Sequence, residues 1–379
     1  MADPARGFRA CHRVGAAAVR PDRLKDPSLR NATIKHVAEL AGVSLKTVSR
    51  VINHEASVHE RTREKVQRAI DTLGYRPDPS ARSLRSTRAR LLGLVYDNPN
   101  AHYIISMQRG VLSVCRESGY GLQIHPCDAS SPKLAEELCA LVQHSRLAGL
   151  VLAPPMSEQP ELIKTLADAG IAFMRIISAR SDPQDGYPCV YVDDRDAAYA
   201  ITEHLIQLGH QRIGFLWGGR EHRSSGERYQ GYEDALKDYG ITLDRKLIVA
   251  GDYSFDDGFR GARKLLALKD RPTAIFGSND EIAAGVLAAA HSGGISVPWE
   301  LSITGFEDSP FSKQSWPALT TARQATEEIG RHAARRLISG LEHDAHGEPV
   351  DPVNHGFSPE LVVRGSTGPL RSAPKKRTR

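Results

Sequence analysis

Cysteine is scarce in this chain of 379 residues: Cys11, Cys115, Cys127, Cys139 and Cys189 are all there is. The number is odd and no two form a CxxC pair, which argues against a disulfide framework or a cysteine zinc site and for reduced thiols in a cytoplasm. Long apolar runs are also missing. None approaches the ~20 residues needed to span a bilayer, and "GAAAV" near the start is too short for a signal-peptide core. The fifteen histidines make no HxH or HxxxH pair, so no metal motif is present. No GxSxG elbow, P-loop or GxGxxG occurs. The paired glycines of "WGGR" and "HSGGISV" read as turns. Asp193, Asp194 and Asp196 in "DDRD" read as helix caps and surface acids rather than a metal site. Catalytic residues, metal and cofactor are therefore not expected, and an enzyme would have to reveal itself by turning over its ligand.

Charge is small in sum, +5, but unevenly placed. Residues 31–90 hold twelve Lys and Arg against six Asp and Glu, whereas residues 91–365 hold twenty-six against thirty-six. A basic head on an acidic body fits a nucleic-acid-binding head joined to a sensor. Residues 1–30 and 366–379 are basic and without periodicity, and are expected to be disordered extensions.

The head carries the sharpest pattern. In "ATIKHVAELAGVSLKTVSRVIN", Ile34, Val37, Ala38 and Ala41 fall on one helical face after an N-cap at Thr33. Gly42 then supplies a left-handed stop. Ser44 caps a second helix whose buried side is Val48, Val51 and Ile52. Two short helices across a glycine turn make a helix-turn-helix, although spacing alone also suits an ordinary helical hairpin. A third amphipathic helix follows on Val66, Ala69, Ile70 and Leu73, closed by Gly74. Pro77 and Pro79 then interrupt the chain before the short basic "SARSLRS", which is marginal as a helix by itself.

From Leu91 the pattern becomes strand–helix alternation. Probable strands are "LLGLVY", "GLQIHP", "AGLVLAP", "AFMRII", "CVYVDD", "RIGFLWG", "LIVAGD", "AIFGS" and "SITGFE". This predicts an α/β fold with doubly wound parallel sheets. Nine strands suit two similar subdomains, with crossings expected near 190, 320 and 353. Ligands in such sheets lie beyond the C-terminal strand ends, and clefts between domains are favoured pockets.

The segments "TIKHVAELAGVSLKTVSRVIN", "TREKVQRAIDTLGYRP" and "ARSLRS" resemble the DNA-binding headpiece and hinge helix of the lactose repressor family of bacterial regulators. The likeness is dense from about Thr33 to Ser86 and looser to about Gly365. It implies a headpiece over 31–78, a hinge helix and linker over 79–90, and a periplasmic-binding-protein-like effector core over 91–365. It further implies a cytoplasmic, nucleoid-associated homodimer on a near-palindromic double-stranded operator. The function implied is transcriptional repression controlled by a small molecule, most simply a sugar. A corepressor-dependent purine-type repressor and a repressor–activator are the alternatives.

The resemblance also assigns residues. Base-reading positions fall on Leu45, Lys46 and Arg50, and phosphate contacts on Ser44, Thr47, Ser49 and Asn53, with Thr33 and Tyr75 touching the DNA backbone. Arg50 suits bidentate bonding to guanine, Leu45 a thymine methyl, and Lys46 either guanine or phosphate. His59 stands where the family caps the third helix with a hydroxyl. Ala81 and Leu84 are the apolar residues of the hinge segment, and a pair of Leu84 side chains would wedge open a base step. Effector contacts map onto Tyr103, His222, Ser224, Arg228, Tyr253, Asn279 and Glu307, with Asn98 and Arg175 from the facing subdomain. Glu307 replaces a usual Asp. Ile177 stands where many members carry an acid, while Arg175 adds a positive charge that would favour an acidic or phosphorylated sugar. Arg228 and Glu307 either grip ligand hydroxyls or pair with each other.

Overall fold

The computed structural model describes residues 32–52, 57–75, 90–98, 100–178, 186–346 and 354–370. The chain divides into two compact units, residues 1–87 and 88–379.

The first unit is helical: α1 (Ile34–Ala41), α2 (Leu45–Ile52) and α3 (Glu60–Leu73). Gly42 ends α1 at φ +64°, the left-handed conformation that permits an immediate restart. Ser44 caps α2, its Oγ accepting from Thr47 N at 3.1 Å. Val37, Ala38, Val48, Val51, Val66 and Ala69 form the small core, with Ile34, Val43, Ile70, Leu73 and Tyr75 around it. His59 gives α3 no side-chain cap bond, as its replacement of a hydroxyl residue leads one to expect. Asn53, Ala81 and Leu84, and with them the hinge helix, lie outside the described residues.

The second unit contains two α/β subdomains. In the first, β1 (Leu91–Tyr96), β2 (Gly121–Pro126), β3 (Gly149–Leu152), β4 (Phe173–Ser178) and β5 (Cys189–Val192) form a parallel sheet. Interleaved with them are α4 (Ala101–Glu117), α5 (Leu134–Ser145) and α6 (Pro160–Asp168). In the second subdomain, α7 (Asp194–Gln207) leads to β6 (Ile213–Leu216) and α8 (Arg223–Asp238), then β7 (Ile248–Val249) and α9 (Phe255–Leu266). Next come β8 (Ala274–Gly277), α10 (Asp280–Ser292), β9 (Ser302–Thr304), α11 (Pro310–Gln314) and β10 (Thr321–Arg323). The chain returns through α12 (Thr326–His346) and β11 (His355–Phe357), then crosses again to β12 (Glu360–Val362). Strand order is β11-β5-β4-β3-β1-β2 in the first sheet and β7-β6-β8-β9 in the second, with β10 antiparallel to β12.

The crossings fall at 193, 324–325 and 358–359, the last two slightly later than expected. β10 still belongs to the second subdomain, and β11 completes the first by pairing with β5. Helix pairs approach closely where glycine removes a side chain. A Cβ on Gly258 of α9 would overlap Ile282 O of α10, and one on Gly285 would overlap Phe255 O.

The expected disorder of residues 366–379 is corrected for residues 366–370, the rest lying outside the described residues. Ser366 is buried; its Oγ donates to Ile303 O at 2.6 Å and accepts from Thr320 N at 2.8 Å. Leu370 N donates to Leu208 O at 2.9 Å. Small polar residues without apolar periodicity look like a tail, yet they can serve as hydrogen-bond partners for a sheet end.

Candidate functional site

In the helical unit, the expected DNA-reading residues share one exposed side of α2. Leu45, Lys46 and Arg50 are exposed while Val48 and Val51 face inward. Leu45 is 38% exposed, an apolar side chain open to a partner. Ser44 Oγ lies 2.8 Å from Thr47 Oγ1, which fixes both hydroxyls at the helix start. Ser49 and Thr47 are half-buried. Exposed Thr33 donates its backbone N–H to His36 Nδ1 at 3.2 Å. That bond makes Nδ1 an acceptor and so directs the proton of neutral His36 to the outer ring nitrogen. Tyr75 packs against the helical core.

In the second unit, a cleft opens at the C-terminal ends of the parallel strands. Its first wall is Asn98, Asn100, Tyr103, Pro154 and Ser178; its second is His222, Ser224, Arg228, Tyr253 and Glu307, with Gln324 on the crossing strand. The space open to the centre of a water-sized sphere is about 30 Å³, roughly two or three waters.

Each wall residue has a local cause. Asn98 Oδ1 accepts from Asn100 N at 2.8 Å, and Asn100 Oδ1 caps α4 through His102 N at 3.0 Å and Tyr103 N at 3.2 Å. This leaves Asn100 Nδ2 to reach across the cleft to Glu307 Oε2 at 2.5 Å. A second cross-cleft contact stacks His102 edge-on to Phe311, with centroids 5.5 Å apart. Tyr253 sits at φ +56°. Its hydroxyl meets Ser225 Oγ at 2.6 Å and Ser224 Oγ at 3.1 Å, and its ring lies where a side chain on Gly218 would stand. The glycines of "WGGR" therefore make room for an aromatic wall, beyond simply turning the chain.

Arg228 is almost wholly buried. Its Nε donates to Asp194 Oδ1 at 2.8 Å, its Nη1 to Ser278 O at 2.7 Å, and its guanidinium lies 3.8 Å from the Phe306 ring centre. Glu307 stands farther off, at 4.0 Å. The shorter of the two ion pairs of Arg228 is therefore with Asp194, which the sequence reading did not foresee, and the one with Glu307 is the longer. Asp193 does cap α7, but Asp194, read as a cap or surface acid, is buried. Burial pushes the Glu307 carboxyl up to about 8, with Arg228 opposing. Burial likewise raises Glu158, beside the cleft, to about 7 while its bond from Ser178 N opposes. Burial lowers His222, keeping that ring neutral at physiological pH.

Two expected effector residues turn elsewhere. Asn279 is fully buried; its Oδ1 caps α10 and its Nδ2 donates to Tyr253 O at 3.2 Å, so it holds the wall rather than lining it. Arg175 is buried in β4, donates to Tyr187 O at 3.2 Å and lies over the Tyr187 ring. Its charge does not line the cleft, which removes the ground for an acidic ligand. Asn100, Ser178 and Gln324 are the polar cleft residues that sequence reasoning missed. Asn100 could have been found as the cap in "YDNPNAHY"; the other two lie at a strand end and a crossing with no local signature.

A family model described as bacterial regulatory proteins, lacI family, matches residues 33–78. One described as a periplasmic binding protein-like domain matches residues 202–367. The HTH-type transcriptional repressor PurR of Vibrio vulnificus (strain CMCP6) is 32% identical over 88% of this chain and 98% of its own. The HTH-type transcriptional regulator GalR of Escherichia coli (strain K12) is 34% identical over 88% of this chain and 95% of its own. Among solved structures, a lac repressor dimer bound to operator and the anti-inducer ONPF superposes with TM-score 0.76. It is 26% identical over 89% of this chain and all of its own. The transcriptional regulator CelR–cellobiose complex gives TM-score 0.66 at 29% identity, over 89% of this chain and all of its own.

Proposed function

Because the chain belongs to the lacI family of bacterial regulatory proteins, DNA-binding transcriptional repressors rather than enzymes, we propose that it is a sugar-responsive repressor acting as a homodimer on a near-palindromic operator. The effector reading rests on one observation. Every residue of the cleft wall except Pro154 ends in a hydroxyl, carboxamide, imidazole, guanidinium or carboxyl group. Such a lining offers hydrogen bonds to many hydroxyls, and Tyr253 offers an apolar ring face. The cellobiose complex of a similar regulator supports the same class of ligand.

For the dimer, the support is an apolar groove on the second subdomain lined by Phe255, Leu287, Phe311 and Trp316. Trp316 is 86% exposed, and a second copy of the chain is the partner that would cover it. Leu45, Lys46 and Arg50 read bases; Ser44, Thr47, Ser49 and Asn53 hold phosphates; the hinge residues Ala81 and Leu84 enter the minor groove. Asn98, Tyr103, His222, Ser224, Arg228, Tyr253 and Glu307 form the effector site. The site of action is the cytoplasmic nucleoid. Among the described residues, no helix is long and apolar enough to cross a membrane.

The PurR relatives favour a second reading, a purine-type corepressor. Calorimetric titration with sugars and with purine bases separates the two, followed by operator binding with the ligand that binds. A sugar that weakens operator binding supports the first reading. A purine base that tightens it replaces that reading with the second.

A further inference from the structure

We propose that the effector carries an amine, as an amino sugar does, with the nitrogen seated against the Glu307 carboxyl and the Gln324 amide oxygen. This rests on the sugar reading above and narrows it.

The ground is a surplus of acceptors. Glu307, Asp194 and Glu158 bring three carboxyls to the cleft and its immediate surround, with Asp280 acting on Glu307, against the guanidinium of Arg228 and, at Glu158, that of Arg223, itself paired with Glu227. The Arg228 guanidinium is committed to Asp194 and Ser278 O, leaving Glu307 4.0 Å away. His222 is held neutral by burial, and Arg175 faces Tyr187. Three buried side-chain acceptors of this region, Gln324 Oε1, Glu158 Oε2 and Asp194 Oδ2, lack a hydrogen-bond partner. Gln324 is 9% exposed and lines the cleft, and its amide oxygen is buried behind that wall without a partner. Its backbone N–H donates to Glu307 O at 3.3 Å, which places the two residues side by side.

A sugar hydroxyl brings one hydrogen and two lone pairs. An ammonium brings three hydrogens and no lone pair, which is the complement of this wall. An anionic ligand would gain little from Arg228, whose guanidinium is already bonded to Asp194 and Ser278 O. In the empty cleft Glu307 keeps a proton up to about pH 8. An ammonium beside it would favour the carboxylate and expel that proton, a signature that a neutral sugar would not give.

The test uses the full-length protein at pH 6.5, titrated calorimetrically with three pairs: glucose and glucosamine, galactose and galactosamine, mannose and mannosamine. Repeating each titration in buffers of different ionisation enthalpy counts protons released. One amino sugar is expected to bind at least ~10-fold tighter (about 1.4 kcal/mol) than its hydroxyl counterpart, releasing up to about one proton. Glu307→Gln preserves an acceptor for Asn100. It is expected to abolish the proton release and most of the amine preference, while the variant stays folded at pH 6.5 and melts no lower than the parent. A neutral sugar that binds as tightly as its amino partner overturns the amine and leaves the sugar reading standing. An amine preference that survives Glu307→Gln overturns the seat on Glu307. No binding by any of the six overturns the proposal, and binding of hypoxanthine or guanine in their place removes the sugar reading as well.

Discussion

Glu307→Gln should change how the effector core responds to pH, and the sign follows from burial. The Glu307 carboxyl is pushed up to about 8 from an ordinary 4.5. Above pH 4.5 the folded chain therefore holds a proton that the unfolded chain has released. Stability must fall as pH rises, until the folded carboxyl ionises near pH 8. The steepest slope one such group can give is ~1.4 kcal/mol per pH unit. Between pH 7 and 8, where the fold still keeps most of that proton, the loss is about 1 kcal/mol, or roughly 2–4 °C in Tm for a unit of this size. Buried His210 and His222 and half-buried His204 and His332 have lowered values. Their contribution is lost as pH falls below 6.5, so it stays outside this window. Glu158 and Asp280, both near 7, are already half ionised at its lower edge and add less. Glutamine keeps the acceptor for Asn100 and carries no titrating proton. Differential scanning calorimetry should show the variant's Tm rising relative to the parent's between pH 6.5 and 8 by about 3–6 °C, the loss over that wider range being about 1.6 kcal/mol. Parallel melting curves across that range would refute burial of an uncompensated carboxyl at 307.

Arg228→Ala leaves Asp194 buried and unpaired, and should cost the core about 3–5 kcal/mol. Adding Asp194→Ala should recover part of that loss in urea melts; strictly additive losses would count against the pair. Gly258→Ala forces a Cβ into Ile282 O and should destabilise by about 1–3 kcal/mol. Gly226→Ala, in α8 with open space at its Cβ, should instead gain roughly 0.5–1 kcal/mol; the comparison fails if the two melt alike. Arg50→Ala should weaken operator binding by ~1–3 kcal/mol while sparing nonspecific DNA. Fluorescence anisotropy on both duplexes reads this out, and equal losses would remove Arg50 from base reading.

What was legible in the sequence was what short-range chemistry dictates. The break between α1 and α2 was visible because Gly42 and Ser44 announce a stop and a start. The nine strands were visible as apolar runs between helical periods, although "LIVAGD" keeps only Ile248–Val249 as strand. Asp194 was not legible: an acid after a strand is most often a cap, and its neighbour Asp193 is one. Asn279 misled for the same reason in reverse, since a strand-end amide serves a ligand or a helix start equally well. The Gly258–Gly285 contact was invisible because each glycine answers to a backbone carbonyl on the other helix. Arg175 looked like a ligand cation because its position along β4 does not reveal that its head bonds Tyr187 O.

The cleft also contains a kind of information that local propensity conceals. Four non-glycine residues have positive φ among the described residues. Arg146 closes a helix, while the other three, Tyr253, Glu307 and Asp308, cluster at the cleft and its floor. Each such conformation costs on the order of 1–3 kcal/mol and persists only where neighbours over-determine it. Here they do. Asn279 Nδ2 holds Tyr253 O while Ser224 and Ser225 hold its hydroxyl. Glu307 N donates to Ala322 O at 2.8 Å and Glu307 O accepts from Gln324 N. Asp308 is tied to Arg323 and Arg364. The strands that cross between subdomains thus fix the strained loops at the cleft. A wall set in this way can discriminate ligands by the direction of its acceptors, since turning a carboxyl aside would mean disturbing the crossing strands themselves.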